Sequence, residues 1–117
     1  MKIVQVINAM ISNQEKITDV YRNDNEYFFL YDKKFKWSMF KGETSENYFI
    51  HFYPNVIMNT DALAKINDWE GIDFVSYSTD DIKTKEATES FRELYQIVAD
   101  KLFGIDDIFN EIIGDSF

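Results

Sequence analysis

The centre of the fold is indicated by three aromatic runs: EYFFLY at residues 26–31, FKWSMF at 35–40 and NYFIHFY at 47–53. Short polar segments, DKK and KGETSE, separate these runs. Connections of this length join antiparallel neighbours, because a parallel pair of strands needs a crossover of about a dozen residues or more. The sequence therefore predicts a meander of three antiparallel strands.

The two-residue period of a β-strand divides the side chains of this meander between two faces. The middle strand alternates apolar with polar residues, whereas both flanking strands carry large apolar side chains on both faces. An antiparallel sheet usually exposes one face to water, so a second layer has to cover the other face. Helices of this chain can form that layer, with tyrosine hydroxyls reaching water at the rim. Alternatively, that face is an aromatic binding surface, formed by Phe28, Phe40, Phe49, His51 and Tyr53.

The segment before the meander fits two structures. Five apolar residues from Ile3 to Ile11 follow the spacing of a helix face, whereas the β-branched run at 3–7 also suits a strand. Because the helical spacing has five matches, we predict a helix at about 2–13. A short edge strand is predicted next, at 17–22, and it turns at Asn23-Asp24-Asn25 into the meander.

Pro54 ends the third meander strand, because proline has no amide to donate to the sheet. A short helix is predicted at 61–67, with Thr60 or Asn59 as its cap. A fifth strand is predicted at 72–78, where apolar and polar residues alternate. The crossover before this strand is long enough to place it beside any strand of the meander, in either direction.

Two helices are predicted after the fifth strand. The longer one, at 85–103, has an apolar stripe that should cover the main dry face of the sheet, and Gly104 ends it as a left-handed cap. The second, at 107–113, follows Asp106 as N-cap and is too short to be stable alone. Its large apolar residues therefore require a groove on this chain or on a partner; they are Ile108, Phe109, Ile112 and Ile113.

The predicted fold class is α+β. The order along the chain is α-β-β-β-β-α-β-α-α, with an antiparallel sheet of four or five strands and helices mainly on one of its faces. The 117 residues are close to the commonest domain size and contain no linker, so a single domain over 1–117 is expected.

The charge of the chain is unevenly distributed. Residues 1–58 contain seven acids and seven bases, whereas residues 59–117 contain 14 acids and five bases, and 5 − 14 equals the whole net charge of −9. Nucleic-acid binding is not expected, because it requires a basic surface. The acidic half either maintains solubility or steers a basic partner; the acids predicted for such steering are Asp80, Asp81, Glu86, Glu89 and Glu93.

Several classes of protein lack support in the sequence. There is no cysteine, which favours a reducing cytoplasm, and the first 12 residues suit neither a signal peptide nor a membrane span. No nucleotide-binding or hydrolase motif occurs, so no cofactor is predicted. His51 is the single histidine and has no nucleophile motif near it. Asp106, Asp107 and Glu111 carry oxygen ligands, but capping and the helix dipole also explain acids at this position, and no metal site is predicted.

In outline, a small acidic α+β domain with an aromatic sheet resembles several kinds of bacterial protein. Secretion chaperones, toxin-neutralising immunity proteins and acidic inhibitors of nucleic-acid enzymes are among them, and no site residue is carried over from any of them. The expected function is non-catalytic binding of another protein, with a basic partner or self-association as the two possibilities. The alternative is a small-ligand binder or minor enzyme, using a cleft between sheet and helix lined by tyrosines and His51.

Overall fold

A computed structural model describes residues 1–43 and 46–115 of the chain. Part of the predicted connection at 41–46 therefore lies outside the described residues. A 3₁₀ turn at Gln14–Lys16 follows the first helix. The helices and strands are α1 (Lys2–Ser12), β1 (Ile17–Asn23), β2 (Glu26–Tyr31), β3 (Phe35–Lys41), β4 (Tyr48–Phe52), α2 (Thr60–Ala64), β5 (Val75–Ser78), α3 (Thr79–Ile82), α4 (Lys85–Phe103) and α5 (Ile105–Asp115).

The five strands form one antiparallel sheet in the order β1-β2-β3-β4-β5. The predicted α+β class and the order of its elements are confirmed, and the first segment is a helix. The structure adds α3, a single turn between β5 and the long helix that was not predicted. The hydroxyl of Ser78 caps this turn by accepting the Asp81 N–H, and Lys83 ends it in a left-handed conformation at φ 62°.

The predicted bounds of three elements were wrong. Helix α2 ends at Ala64 instead of residue 67, strand β5 begins at Val75 instead of 72, and α5 extends over Ile105–Asp115. The first two changes have one cause, because the chain between α2 and β5 turns inward to bury Ile72 and Trp69 partly against the sheet. Residues of this segment that pack against the second face cannot also form backbone hydrogen bonds with β4.

The larger core lies between the sheet and the helices α1 and α4. It uses the face formed by alternate residues such as Phe29 of β2, Met39 of β3 and Ile50 of β4. The fully buried large side chains of this core are Ile7, Met10, Phe29, Met39, Ile50, Phe91, Leu94 and Val98.

A smaller core lies on the second face of the sheet. Helix α2 and the chain on either side of it cover Phe28, and Leu63 of this helix is completely buried. The Thr60 hydroxyl ties α2 to the sheet by donating to the Asp19 carbonyl at 2.7 Å. Asp19 lies at a bulge of β1 with φ 53°. This layer extends over only part of the second face, so the rest remains accessible.

The molecule is more extended than a typical domain of its size. Its radius of gyration is 14.9 Å, compared with about 13 Å for an average compact chain of this length. Its accessible surface is 7539 Å², whereas a folded chain of 13.9 kDa typically exposes about 6,700 Å². Roughly 800 Å² of additional surface is therefore exposed. In the described part of the chain, no helix has both the length and the apolar character to cross a membrane.

Candidate functional site

The uncovered part of the second face carries a strip of aromatic rings on β3 and β4. The strand register places Phe40 between Glu26 and Phe49. The rings of Phe40 and Phe49 stack with centroids 4.6 Å apart, and His51 meets Phe40 edge to face at 5.3 Å. All three side chains are partly exposed. We call Phe40, Phe49 and His51 the aromatic strip, and it contains three of the five residues predicted for an aromatic surface.

The other two predicted residues, Phe28 and Tyr53, do not reach the surface. Their exposed fractions are 1% and 3%, because the ring of Trp69 packs on both at centroid distances of 6.1 and 6.2 Å. Their burial means that they belong to the smaller core. The apolar residues of the crossover after Pro54 could have predicted this layer, because Trp69 and Ile72 would be unfavourably exposed to water in a fully exposed loop.

Phe74 extends the aromatic strip, although the sequence analysis placed it inside the fifth strand without a role. Its ring stacks on His51 with centroids 4.6 Å apart and remains 46% exposed. The alternation of apolar and polar residues at 72–78 does not predict this contact between Phe74 and His51. The stacking depends on the register between β4 and β5, which pairs Phe52 with Val75.

A buried polar network lies beneath the aromatic strip. The Ser38 hydroxyl donates to Glu26 Oε2 at 2.6 Å and also shares a hydrogen bond of 2.8 Å with the Tyr53 hydroxyl. Burial raises the pKa of Glu26, while hydrogen bonds from Ser38 and Tyr53 act in the opposite direction. Burial also lowers the pKa of His51. Burial thus disfavours charge on both groups, which weakens the ion pair that His51 Nδ1 and Glu26 Oε2 can form across 3.7 Å.

This network lacks the geometry of nucleophilic catalysis. Ser38 is completely buried, so a substrate cannot reach its Oγ without opening the sheet. Burial also raises the pKa of the Tyr53 hydroxyl, which keeps that group protonated at neutral pH. A nucleophile needs an accessible oxygen and an adjacent base. The hydrogen bonds of Ser38 therefore have a structural role.

Three of the predicted acidic residues lie apart from the aromatic strip. Glu86, Glu89 and Glu93 are exposed on α4, which packs on the opposite face of the sheet. Asp80 and Asp81 are exposed in the first turn of α3. The structure thus separates Glu86, Glu89 and Glu93 from the aromatic strip by the thickness of the sheet, so these acids and the aromatic residues cannot form one continuous binding surface.

The described residues 1–43 and 46–115 contain no group of three or more His, Asp or Glu side chains placed to hold a metal ion. Asp106, Asp107 and Glu111 are exposed residues of α5. A cleft of about 360 Å³ lies between β1 and the junction of α4 with α5, with Asp19, Asp100 and Lys101 in its lining. His51 is not part of this cleft, so the predicted combination of cleft and histidine does not occur there.

A group of exposed large apolar side chains lies on α5. Four large apolar side chains on one side of this helix have exposed fractions of 46% to 60%, and we call them the apolar side of α5: Ile108, Phe109, Ile112 and Ile113. Phe103, at the end of α4, is also 54% exposed. The described parts of the chain therefore leave this side of the helix accessible to water.

The position of α5 follows from the end of α4. Gly104 adopts a left-handed conformation at φ 63°, and its N–H donates to the carbonyls of the last turn of α4. The chain then starts α5 at Ile105, and no described residue of this helix belongs to the larger core. Of the two possibilities predicted for this helix, a groove on the same chain is absent from the described residues.

The sequence matches no protein-family model, no curated protein and no solved structure. Fold and surface together define the chain as an α+β domain with an antiparallel sheet and an exposed amphipathic helix.

Proposed function

We propose that this protein is a non-catalytic protein-binding module that places α5 in a groove of a partner. The observation that supports the proposal is the exposure of Ile108, Phe109 and Ile113 on one side of this helix. Soluble proteins rarely leave contiguous large apolar side chains in water unless they bind another surface. An amphipathic helix of 11 residues is also marginal without tertiary contacts, so a partner would stabilise it.

The spacing of these residues suits recognition of a helix by a groove. In that mode the anchors follow the i, i+3, i+4, i+7 pattern, which Ile105, Ile108, Phe109 and Ile112 reproduce. The spacing is thus compatible with one specific partner.

The aromatic strip and Phe74 are a second, smaller candidate surface in this proposal. Their rings stack on one another and are partly buried, so less apolar area is available there than on α5. Because the sequence contains no cysteine, we place the binding in the cytoplasm. The chaperone-, immunity- and inhibitor-like activities considered above would all use binding of this kind.

The proposal is tested by substituting Phe109 and Ile113 together with serine. We expect this variant to lose its partner in quantitative pull-downs from the cells that make the protein, while its urea unfolding midpoint stays close to that of the wild type. The matched control substitutes Tyr21 and Ile57, which are also exposed but belong to neither candidate surface. A partner retained by the α5 variant but lost by the control would contradict the proposal.

One observation favours a second function, the binding of a small ligand. The cleft between β1 and the α4–α5 junction has a volume of about 360 Å³, which is within the range of ligand pockets. Its lining includes Asp100 and Lys101, so a polar ligand is expected. Thermal shifts on a metabolite panel test this alternative. A compound that raises the midpoint of the wild type but not of Asp100→Asn would support it.

A further inference from the structure

We infer that the partner of α5 is a different protein whose apolar groove is bordered by lysine and arginine side chains, and not a second copy of this chain. This inference rests on the proposed function. It adds the chemistry of the partner, which follows from the charges around the apolar side of α5.

Acidic residues border the apolar side of α5. The segment after Lys101 contains Asp106, Asp107, Glu111 and Asp115 but no lysine, arginine or histidine. On a helix of 3.6 residues per turn, Asp106 follows Ile113 on one border and Glu111 lies beyond Ile108 on the other. An apolar groove that receives this helix therefore brings its rim close to carboxylates. Lysine and arginine at that rim give complementary charge.

A second copy does not offer this complementarity. Two α5 helices packed about a two-fold axis would bring two segments of charge −4 together, with no base in either segment. Their contact would also be small, because 11 residues give a helix only about 16 Å long and about 10 Å wide. Two convex helices touch along one line, whereas a groove also covers the flanks of the helix. The small contact area and the like charges of two α5 helices therefore both favour a different protein with a groove over a second copy.

A membrane surface is also unsuitable. Helices that lie in the interface of a bilayer carry lysine and arginine on their polar side, and the cytoplasmic leaflet is negatively charged. The polar side of α5 has no basic residue.

One contact within the chain illustrates the expected pairing of a basic side chain with this surface. The Arg22 guanidinium lies 5.9 Å from the ring centroid of Phe103, which is next to α5 in the chain.

The first experiment places a photo-crosslinking amino acid at Phe109 of the full chain and irradiates the cells that make the protein. Peptide mapping of the adducts then identifies the partner residues. We expect a heterologous protein, with crosslinks in an apolar groove that has lysine or arginine within one helical turn. Crosslinks to a second copy, or to a groove bordered by acids, would overturn this inference while leaving α5 as the binding element. Absence of any protein adduct would overturn the proposed function as well.

The second experiment measures association of the captured partner, purified, with two variants of equal charge. Asp106→Lys, Asp107→Lys and Glu111→Lys change α5, and Glu86→Lys, Glu89→Lys and Glu93→Lys change α4. Each set replaces three acids with lysines and so raises the net charge by six, from −9 to −9 + 6 = −3 in both variants. At low salt we expect the α5 set to slow association by about tenfold or more and the α4 set by less than about twofold. Equal effects would show that net charge alone steers binding and would overturn the inference.

Three further measurements complete this comparison. Because lysines near a helix N-terminus oppose its dipole, the neutral set Asp106→Asn, Asp107→Asn and Glu111→Gln is measured as well. It should slow association in the same direction. Sedimentation equilibrium of the purified wild type, and its flotation with anionic vesicles, complete the test. A dimer that Phe109→Ser abolishes, or binding to vesicles that Phe109→Ser abolishes, would assign α5 to those occupants instead.

Discussion

At the scale of single residues, Glu26 and His51 show how one buried environment shifts two side chains in opposite directions. Their side chains are 23% and 16% exposed, and their nearest polar atoms are 3.7 Å apart. Burial disfavours the charged form of each group, which raises the pKa of Glu26 and lowers that of His51. The pair therefore makes stability depend on pH in two opposing ways.

We expect Glu26→Gln and His51→Gln to change the pH dependence of unfolding in opposite directions. The folded pKa of Glu26 lies above its ordinary value of 4.5. The folded protein therefore binds a proton first, and the wild type gains unfolding free energy relative to Glu26→Gln as the pH falls towards 4.5. The folded pKa of His51 lies below 6.5, so the wild type loses free energy relative to His51→Gln as the pH falls below 6.5.

Urea unfolding of the three proteins between pH 4 and 8 measures both differences. Curves that stay parallel to the wild type throughout this range would show that neither side chain titrates differently in the folded state.

The sequence shows that His51 is the single histidine, but it does not show the neighbours of this side chain. They come from three other strands or segments: Glu26, Phe40 and Phe74.

At the scale of elements, α4 is the part of the fold that the sequence predicts best. Its predicted bounds, 85–103, coincide with Lys85–Phe103, because a cap and a terminator flank a clear apolar stripe. The Thr84 hydroxyl accepts the Ala87 N–H at 3.1 Å, and Gly104 ends the helix. These signals are local, so they need no knowledge of the rest of the molecule.

We expect Leu94→Ala to lower the free energy of unfolding by about 2–5 kcal/mol, because it leaves a cavity in the larger core. Leu94 is completely buried against the sheet in the same cluster as Trp37. Glu93→Ala, one residue earlier on the exposed side of α4, should change it by less than about 0.5 kcal/mol. Denaturant unfolding of both variants provides the comparison. Equal losses would mean that α4 does not pack on the sheet by this stripe.

At the scale of the whole molecule, α5 is an addition to a fold that is complete without it. The two cores are formed by α1, α2, α4 and the sheet, with the crossover residues between α2 and β5. The side chains of α5 from Asp106 to Gly114 are exposed. Removing it should therefore affect binding far more than folding.

A chain ending at Gly104 should retain a single cooperative unfolding transition. We expect its free energy of unfolding to fall by less than about 1 kcal/mol, since exposed terminal segments contribute little. Circular dichroism during urea unfolding measures this difference. A loss of several kcal/mol would show that α5 belongs to the folded core, and exposure of its apolar side would then need another explanation.

The sequence by itself determined the α+β class, the meander, the order of elements and the long helix. Strand alternation, helix spacing, caps and turns are local properties that act over a few neighbouring residues. Tertiary structure alone decided which apolar residues are buried. Phe28 and Phe40 lie on the same face of the sheet, yet the crossover with Trp69 covers only Phe28. The tertiary structure also leaves the apolar side of α5 exposed, because burial depends on contacts between segments far apart in the chain.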